Sequence, residues 1–311
     1  MVESMIETQD LTKMYGDFTA VDRLNLTVEE GELFGFLGPN GAGKTTTILM
    51  LMGLSVPTSG TATVAGFDVV ESSKDVRTVA SILPEYSSLY GDLTARQNLD
   101  YIGRLNDLSS AEREERITEL LEVVGMTQWR DSKLEDFSRG MKQRISIAAA
   151  LIKRPKVVFL DEPTLGLDPL GTREIRELIL RLNREQGLTV IMASHLLNEV
   201  QMTCSRVGII NRGKLVVTET IENLTNGMTI SGERSIEFKL SEISQGLLEE
   251  IEAINGVSSV TQENDRLYVH ADGDSDMEIS KTIVSHGSVI LLMKPREYTL
   301  EEIFMKYYKE E

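Results

Sequence analysis

Nine residues, GPNGAGKTT at 38–46, limit the folds open to this chain more than any other stretch. Gly38 to Thr45 fits G-x-x-x-x-G-K-[ST] in full, between the apolar run ELFGFLG and the helical-looking TTTILMLMGL. A strand, a Gly-rich turn and a helix in that order let backbone N–H groups wrap phosphate oxygens, with the helix dipole behind them. Gly38, Pro39, Asn40, Gly41, Ala42, Gly43, Lys44, Thr45 and Thr46 are therefore candidate nucleotide-binding residues. Lys44 would neutralise β/γ-phosphate charge, and the Thr45 hydroxyl would ligate Mg²⁺.

Further strands follow. KVVFLDEP at 156–163 reads as a buried strand stopped by Pro163, and LTVIMASH at 188–195 as another. Between them GTREIRELILRLNREQG places apolar residues at 175, 178, 179 and 182, the spacing of an amphipathic helix. Strand, helix and strand at these lengths imply a parallel sheet with ligands at the carboxyl ends of its strands. Asp161 and Glu162 stand at such an end, where paired carboxylates are costly unless a cation or a reaction uses them. Asp161 suits a Mg²⁺-bound water and Glu162 a general base on an attacking water. Strand-end acids also cap following helices, but here PTLGLDP intervenes. His195 ends the third strand within reach of a γ-phosphate, although a lone His is more often just a satisfied polar residue. Tyr15 offers a ring for stacking on a base.

FSRGMKQR at 137–144 runs into ISIAAALI and so puts Ser138 and Gly140 at a second helix start, a second place for an anion. After the hairpin VGIINRGKLVVTE, a polar stretch at 223–234 reads as a linker between a domain at 1–222 and a smaller one at 235–311. The smaller domain has the order βαββαβ, the ferredoxin-like split pattern, followed by the amphipathic helix TLEEIFMKYYKEE. His270 and His286 in it are isolated and read as structural or solvated.

A net charge of −17 disfavours a continuous embrace of nucleic acid, so no nucleic-acid partner is expected. One cysteine, Cys204, excludes an internal disulfide and reads as an inert, partly buried thiol. No apolar stretch approaches the ~18 to 20 residues of a membrane helix. The polar, acidic start MVESMIETQD is unlike a signal peptide, and a cytoplasmic protein is expected.

Taken as a set, these residues resemble the ATP-binding subunits of ABC transporters over residues 4 to about 220. GPNGAGKTT resembles the Walker A loop, VVFLDEP the Walker B strand, GLD at 166–168 the D-loop, His195 the switch histidine and Tyr15 the adenine-stacking aromatic. FSRGMKQR is similar to the signature motif, with Ser138 and Gly140 kept, Arg139 in place of a Gly and Met141 in place of the Gln. SILPEYSSLYGDLTARQNL resembles the Q-loop region, with Glu85 where a Gln is usual. A carboxylate ~5 Å from a γ-phosphate is repelled by roughly 3 kcal/mol at an effective dielectric of about 20, so Glu85 is expected on Mg²⁺ with Thr45 and Asp161.

The resemblance implies an α/β P-loop NTPase fold of the ABC nucleotide-binding type with a small α+β accessory domain. It implies binding and hydrolysis of ATP with Mg²⁺, with Glu162, His195 and Lys44 catalytic. Its implied partners are a second copy, joined head to tail so that the signature helix faces the other chain's ATP, and a separate transmembrane permease. An exporter peripheral on the inner face of the cell membrane is the leading expectation. A soluble relative acting on the ribosome is the alternative, and a P-loop kinase or GTPase leaves FSRGMKQR and His195 unexplained.

Overall fold

A computed structural model describes residues 4–86, 89–225, 234–271, 275–295 and 299–309, with side chains from 235 in the third segment and to 305 in the last. The chain divides into two compact units, Met1–Thr218 and Glu219–Glu311. The linker expected at 223–234 falls largely on residues outside this description.

The first unit is built on a six-stranded sheet with strands in the order Lys214–Thr220, Arg206–Asn211, Leu33–Leu37, Thr189–Ser194, Val157–Asp161, Ala80–Leu83. From Arg206–Asn211 to Ala80–Leu83 every neighbouring pair is parallel. Leu33–Leu37, Val157–Asp161 and Thr189–Ser194 are buried at every residue, as expected of strands covered on both faces. Phe34, Phe36 and Phe159 are among their fully or nearly fully buried side chains, each worth roughly 1.5–3 kcal/mol in area removed from water. The α/β fold read from the sequence is the one present, and the carboxyl ends of these strands meet at one edge of the sheet.

A second sheet was not anticipated. Phe18–Leu24, Ser4–Tyr15, Ser59–Val64 and Phe67–Asp68 pair antiparallel in that order, and Thr27–Glu29 adds to Ser4–Tyr15. Its inner face, with Ile6, Leu11, Val21 and Val64, shares one core with Phe34, Phe36 and Phe159. Its first hairpin sets Tyr15 opposite Phe18 across a turn at Gly16. Three helices form a further layer: Ala95–Leu105, Ser110–Val123 and Arg139–Leu151. The first two start in full capping boxes, Thr94 with Gln97 and Ser109 with Glu112, which satisfy orphan N–H groups reciprocally.

In the second unit the strands Val257–Glu263, Arg266–Ala271, Arg234–Leu240 and Ile290–Pro295 form an antiparallel sheet in that order. With the helices Gln245–Glu252 and Asp276–Ser285 this is the expected ferredoxin-like arrangement. Ile236, Phe238, Leu247, Ile251, Val269 and Ile283 are part of its separate core. A helix at Leu300–Lys309 follows.

Candidate functional site

The strand Leu33–Leu37 delivers the chain to the loop at 38–43, and the helix Lys44–Leu51 leaves it. Gly43 has φ +109°, and a Cβ there would lie 2.5 Å from the Ala20 carbonyl oxygen, so both backbone and space demand glycine. The helix has no acidic residue in its first turn, which leaves its positive end free for an anion. Lys44 folds back over the loop, donating from Nζ to the carbonyls of Gly38 at 2.7 Å and Pro39 at 3.3 Å. It is buried, which lowers its pKa, while Glu162 and Asp161 pull it back up. Its ammonium lies 3.7 Å from Glu162 Oε1.

Asp161 closes the strand Val157–Asp161, and its Oδ2 accepts a hydrogen bond from Thr45 Oγ1 at 2.8 Å. Burial raises the Asp161 pKa against the pull of that hydrogen bond. The chain then turns sharply. Glu162 has φ +50°, an uncommon conformation for a non-Gly residue, and its N–H donates to the Ala193 carbonyl at 2.9 Å. Its carboxylate is held on both oxygens. Oε2 accepts from Ser194 Oγ at 3.0 Å, and Oε1 accepts from the His195 backbone N–H at 3.0 Å and lies 2.7 Å from His195 Nδ1. A buried carboxylate fixed in this way keeps one direction.

These groups line a cleft of about 520 Å³, the size of a small-molecule site. Its lining is Tyr15, Phe18 and Ala20, then Pro39, Asn40, Gly41, Gly43, Lys44, Thr45 and Thr46 of the loop and helix start, and Glu85, Asp161, Glu162, Leu165 and His195. Tyr15 is 53% exposed with the Lys13 ammonium 5.1 Å from its ring centre, so a face is open to stacking. Glu85 is exposed on the cleft, and its carboxylate beside the Tyr86 phenol raises the Tyr86 pKa. The structure thus brings together Tyr15, the phosphate loop, Glu85, Asp161, Glu162 and His195. Gly38 takes part through its carbonyl, and Ala42 is buried behind the loop.

Ser138 and Gly140 are not among the residues that line this cleft. Ser138 caps the helix Arg139–Leu151, its Oγ accepting from the Met141 N–H at 3.3 Å, and a Cβ on Gly140 would meet open space. Asp168 likewise caps Pro169–Gln186, accepting from the Gly171 N–H at 2.9 Å. Three participants were missed in the sequence. Phe18 carried a signal as the hairpin partner of Tyr15, and Ser194 as the strand-end neighbour of His195. Gln143, whose Nε2 donates to the Pro163 carbonyl at 2.7 Å, carried none, because that contact spans twenty residues. Cys204 is buried, and burial raises its thiol pKa far out of the reactive range. Trp129 is 41% exposed and edge-on to Phe137 at 6.3 Å.

The protein-family model for ABC transporters matches residues 21–165. The linearmycin resistance ATP-binding protein LnrL of Bacillus subtilis is 34% identical over 305 residues, 97% of this chain and 97% of its own length. The bacitracin transport ATP-binding protein BcrA of Bacillus licheniformis is 37% identical, over 98% of this chain and 97% of its length. Among solved structures, cbiO1 of Clostridium perfringens, part of the ABC transporter complex cbiONQ, aligns with a TM-score of 0.65 at 29% identity, covering 70% of this chain and 89% of that one. An ATP-binding cassette solved as a post-hydrolysis dimer with ADP and phosphate aligns with a TM-score of 0.62 at 26% identity, covering 70% of this chain and 99% of that one.

Proposed function

As a member of the ATP-binding proteins of ABC transporters, the chain is an ATPase, and we propose that it works as an ATP-closed homodimer driving export through a separate permease. The observation that carries this reading is the separation of parts. Lys44, Thr45, Asp161 and Glu162 share one cleft, while Ser138 and Gly140 lie off it and are free for a neighbour's nucleotide. Resistance to linearmycin and transport of bacitracin in two relatives support a drug or antibiotic as the cargo class.

In this reading Tyr15 and Phe18 hold the adenine, and the loop at 38–46 and Lys44 hold the phosphates. Glu162 accepts a proton from water as its oxygen attacks the γ-phosphorus and the bond to the β–γ bridging oxygen breaks, which releases ADP and phosphate. Ser194 and His195 keep the carboxylate aimed. The Thr45 hydroxyl and the Asp161 carboxylate, 2.8 Å apart with Glu85 on the same cleft, are the hard oxygen donors that suit Mg²⁺. The ion would neutralise phosphate charge there.

The same unit has a groove of about 660 Å³ lined by Leu54, Leu83, Pro84, Tyr90, Tyr101 and Leu105 among others. Pro84 faces this groove and the next residue, Glu85, faces the cleft, so one short segment joins the two. We assign the groove to the permease. No helix among the described residues is long and apolar enough to cross a membrane. In this reading the permease would hold the chain on the inner face of the cell membrane, with residues 1–222 as the ATPase domain and 235–311 as an accessory domain. Co-purification from detergent extracts tests this. A polytopic membrane protein that alters the ATPase rate is the expected companion, and recovery with ribosomes instead would overturn the proposal.

A further inference from the structure

We propose that Arg139 and Gln143 are positioning residues for Glu162 of their own chain, gripping the loop that follows it; this rests on the assignment of Glu162 as general base. The loop at 163–168 leaves directly from Glu162 and ends at Asp168, which is anchored as the cap of Pro169–Gln186. The helix Arg139–Leu151 touches it at two points. Gln143 Nε2 donates to the Pro163 carbonyl at 2.7 Å, one residue beyond Glu162. Farther along, the Arg139 guanidinium lies against the bare Cα of Gly166, where an added Cβ would stand only 2.4 Å from Nη1 and 2.5 Å from Cζ. Positions 139 and 143 are four apart and so share a helix face.

Arg139 occupies an unfavourable place for a cation, the first residue of a helix, whose dipole repels it. Among the described residues no carboxylate stands within ion-pair distance of it. Its seat on Gly166 is what the structure gives it instead, and Gly166 has φ +68°, a backbone that already favours glycine. Ser138 and Gly140, on either side of Arg139, form the helix start assigned to the neighbour's nucleotide. An anion arriving there would attract the Arg139 guanidinium, and drawing it off Gly166 would remove one of the contacts that hold the loop behind Glu162. Each chain's base is thereby set by the helix that serves the other chain's ATP, and this links the two sites of a dimer.

R139A and Q143E, the second isosteric but without the donor, should lower kcat roughly tenfold to a hundredfold with the KM for ATP unchanged, the scale of a small misplacement of a reacting group. Wild-type kcat in both would overturn the proposal, whatever the assembly. G166A, which leaves Arg139 in the chain but fills its seat, should give the same kcat loss with a normal far-ultraviolet circular dichroism spectrum. Mixed dimers then decide which site Arg139 serves. R139A with K44A has its one live ATP on the R139A chain and should be slow. Wild type with the double variant K44A/R139A has its live ATP on the wild-type chain and should run at full single-site rate. The reverse pattern would place Arg139 on the neighbour's nucleotide and sink the inference. Activity indifferent to mixing would instead count against the shared-site reading, and R139A would still be judged by its own kcat.

Discussion

His195 Nδ1 stands 2.7 Å from Glu162 Oε1, and the backbone N–H of the same histidine donates to that oxygen at 3.0 Å. The carboxylate proposed as the base is held so tightly that a change of one atom should cost most of its function. E162Q is expected to bind ATP normally and to lose ~10² to 10⁴ in kcat, the usual range for a general base. It should then persist as an ATP-bound dimer on gel filtration. H195A leaves the carboxylate but removes one of its donors and is expected to lose less, roughly tenfold. Single-turnover rates compare the two, and equal losses would make His195 more than a brace.

Asp161 is expected to cost the nucleotide-free protein stability. Burial raises its pKa in the fold, so the folded state binds its proton more readily than the unfolded chain does. Stability therefore falls as pH rises through the window from the ordinary carboxylate value to the raised one, and stays lower at neutral pH. D161N should raise the midpoint of nucleotide-free thermal unfolding, each kcal/mol recovered moving it by about 2–4 °C. It should also abolish the further stabilisation by ATP with Mg²⁺. A lowered midpoint would show that Asp161 is held in the fold mainly by its bond to Thr45.

Tyr15 is open on the cleft it shares with the phosphate loop. Y15A should raise the KM for ATP roughly threefold to tenfold with little change in kcat, as loss of one aromatic stack predicts, while Y15F stays near wild type. A kcat effect without a KM effect would move Tyr15 from binding to chemistry.

Glu85 faces the cleft beside a residue that faces the groove. E85Q should keep basal ATPase within about tenfold, a barrier change of ~1.4 kcal/mol, yet alter the stimulation produced by the permease. An unchanged response with intact transport would remove Glu85 from the coupling path.

The parallel sheet was legible because doubly covered strands such as those carrying VVFL and VIMA read as unbroken apolar runs. The phosphate loop was legible because its glycines have no cheaper substitute. The antiparallel sheet was not, for a physical reason: Ser4–Tyr15 carries register shifts against Phe18–Leu24, and Asp10 and Arg23 sit at positive φ, so the period-2 signal is broken. Two helices of the further layer were not read, although Thr94 with Gln97 and Ser109 with Glu112 are capping-box pairs in the sequence. In the cleft, residue types suggested what Lys44, Asp161 and Glu162 could do, but not that Ser194 and His195 hold the Glu162 carboxylate from both sides. Such contacts between distant segments leave no local pattern.

The central claim is that each ATP is served by two chains, and mixing two dead variants tests it most directly. K44A loses the phosphate-binding charge, and G140D puts a side chain and a repelling carboxylate at the signature helix. Each alone should be nearly inactive. Heterodimers of the two hold one doubly broken site and one entirely wild type, so hydrolysis, or at least ATP-driven dimerisation, should return on mixing and peak near equal proportions. A flat, inactive curve across all mixing ratios, with subunit exchange confirmed by labelled chains, would contradict the account.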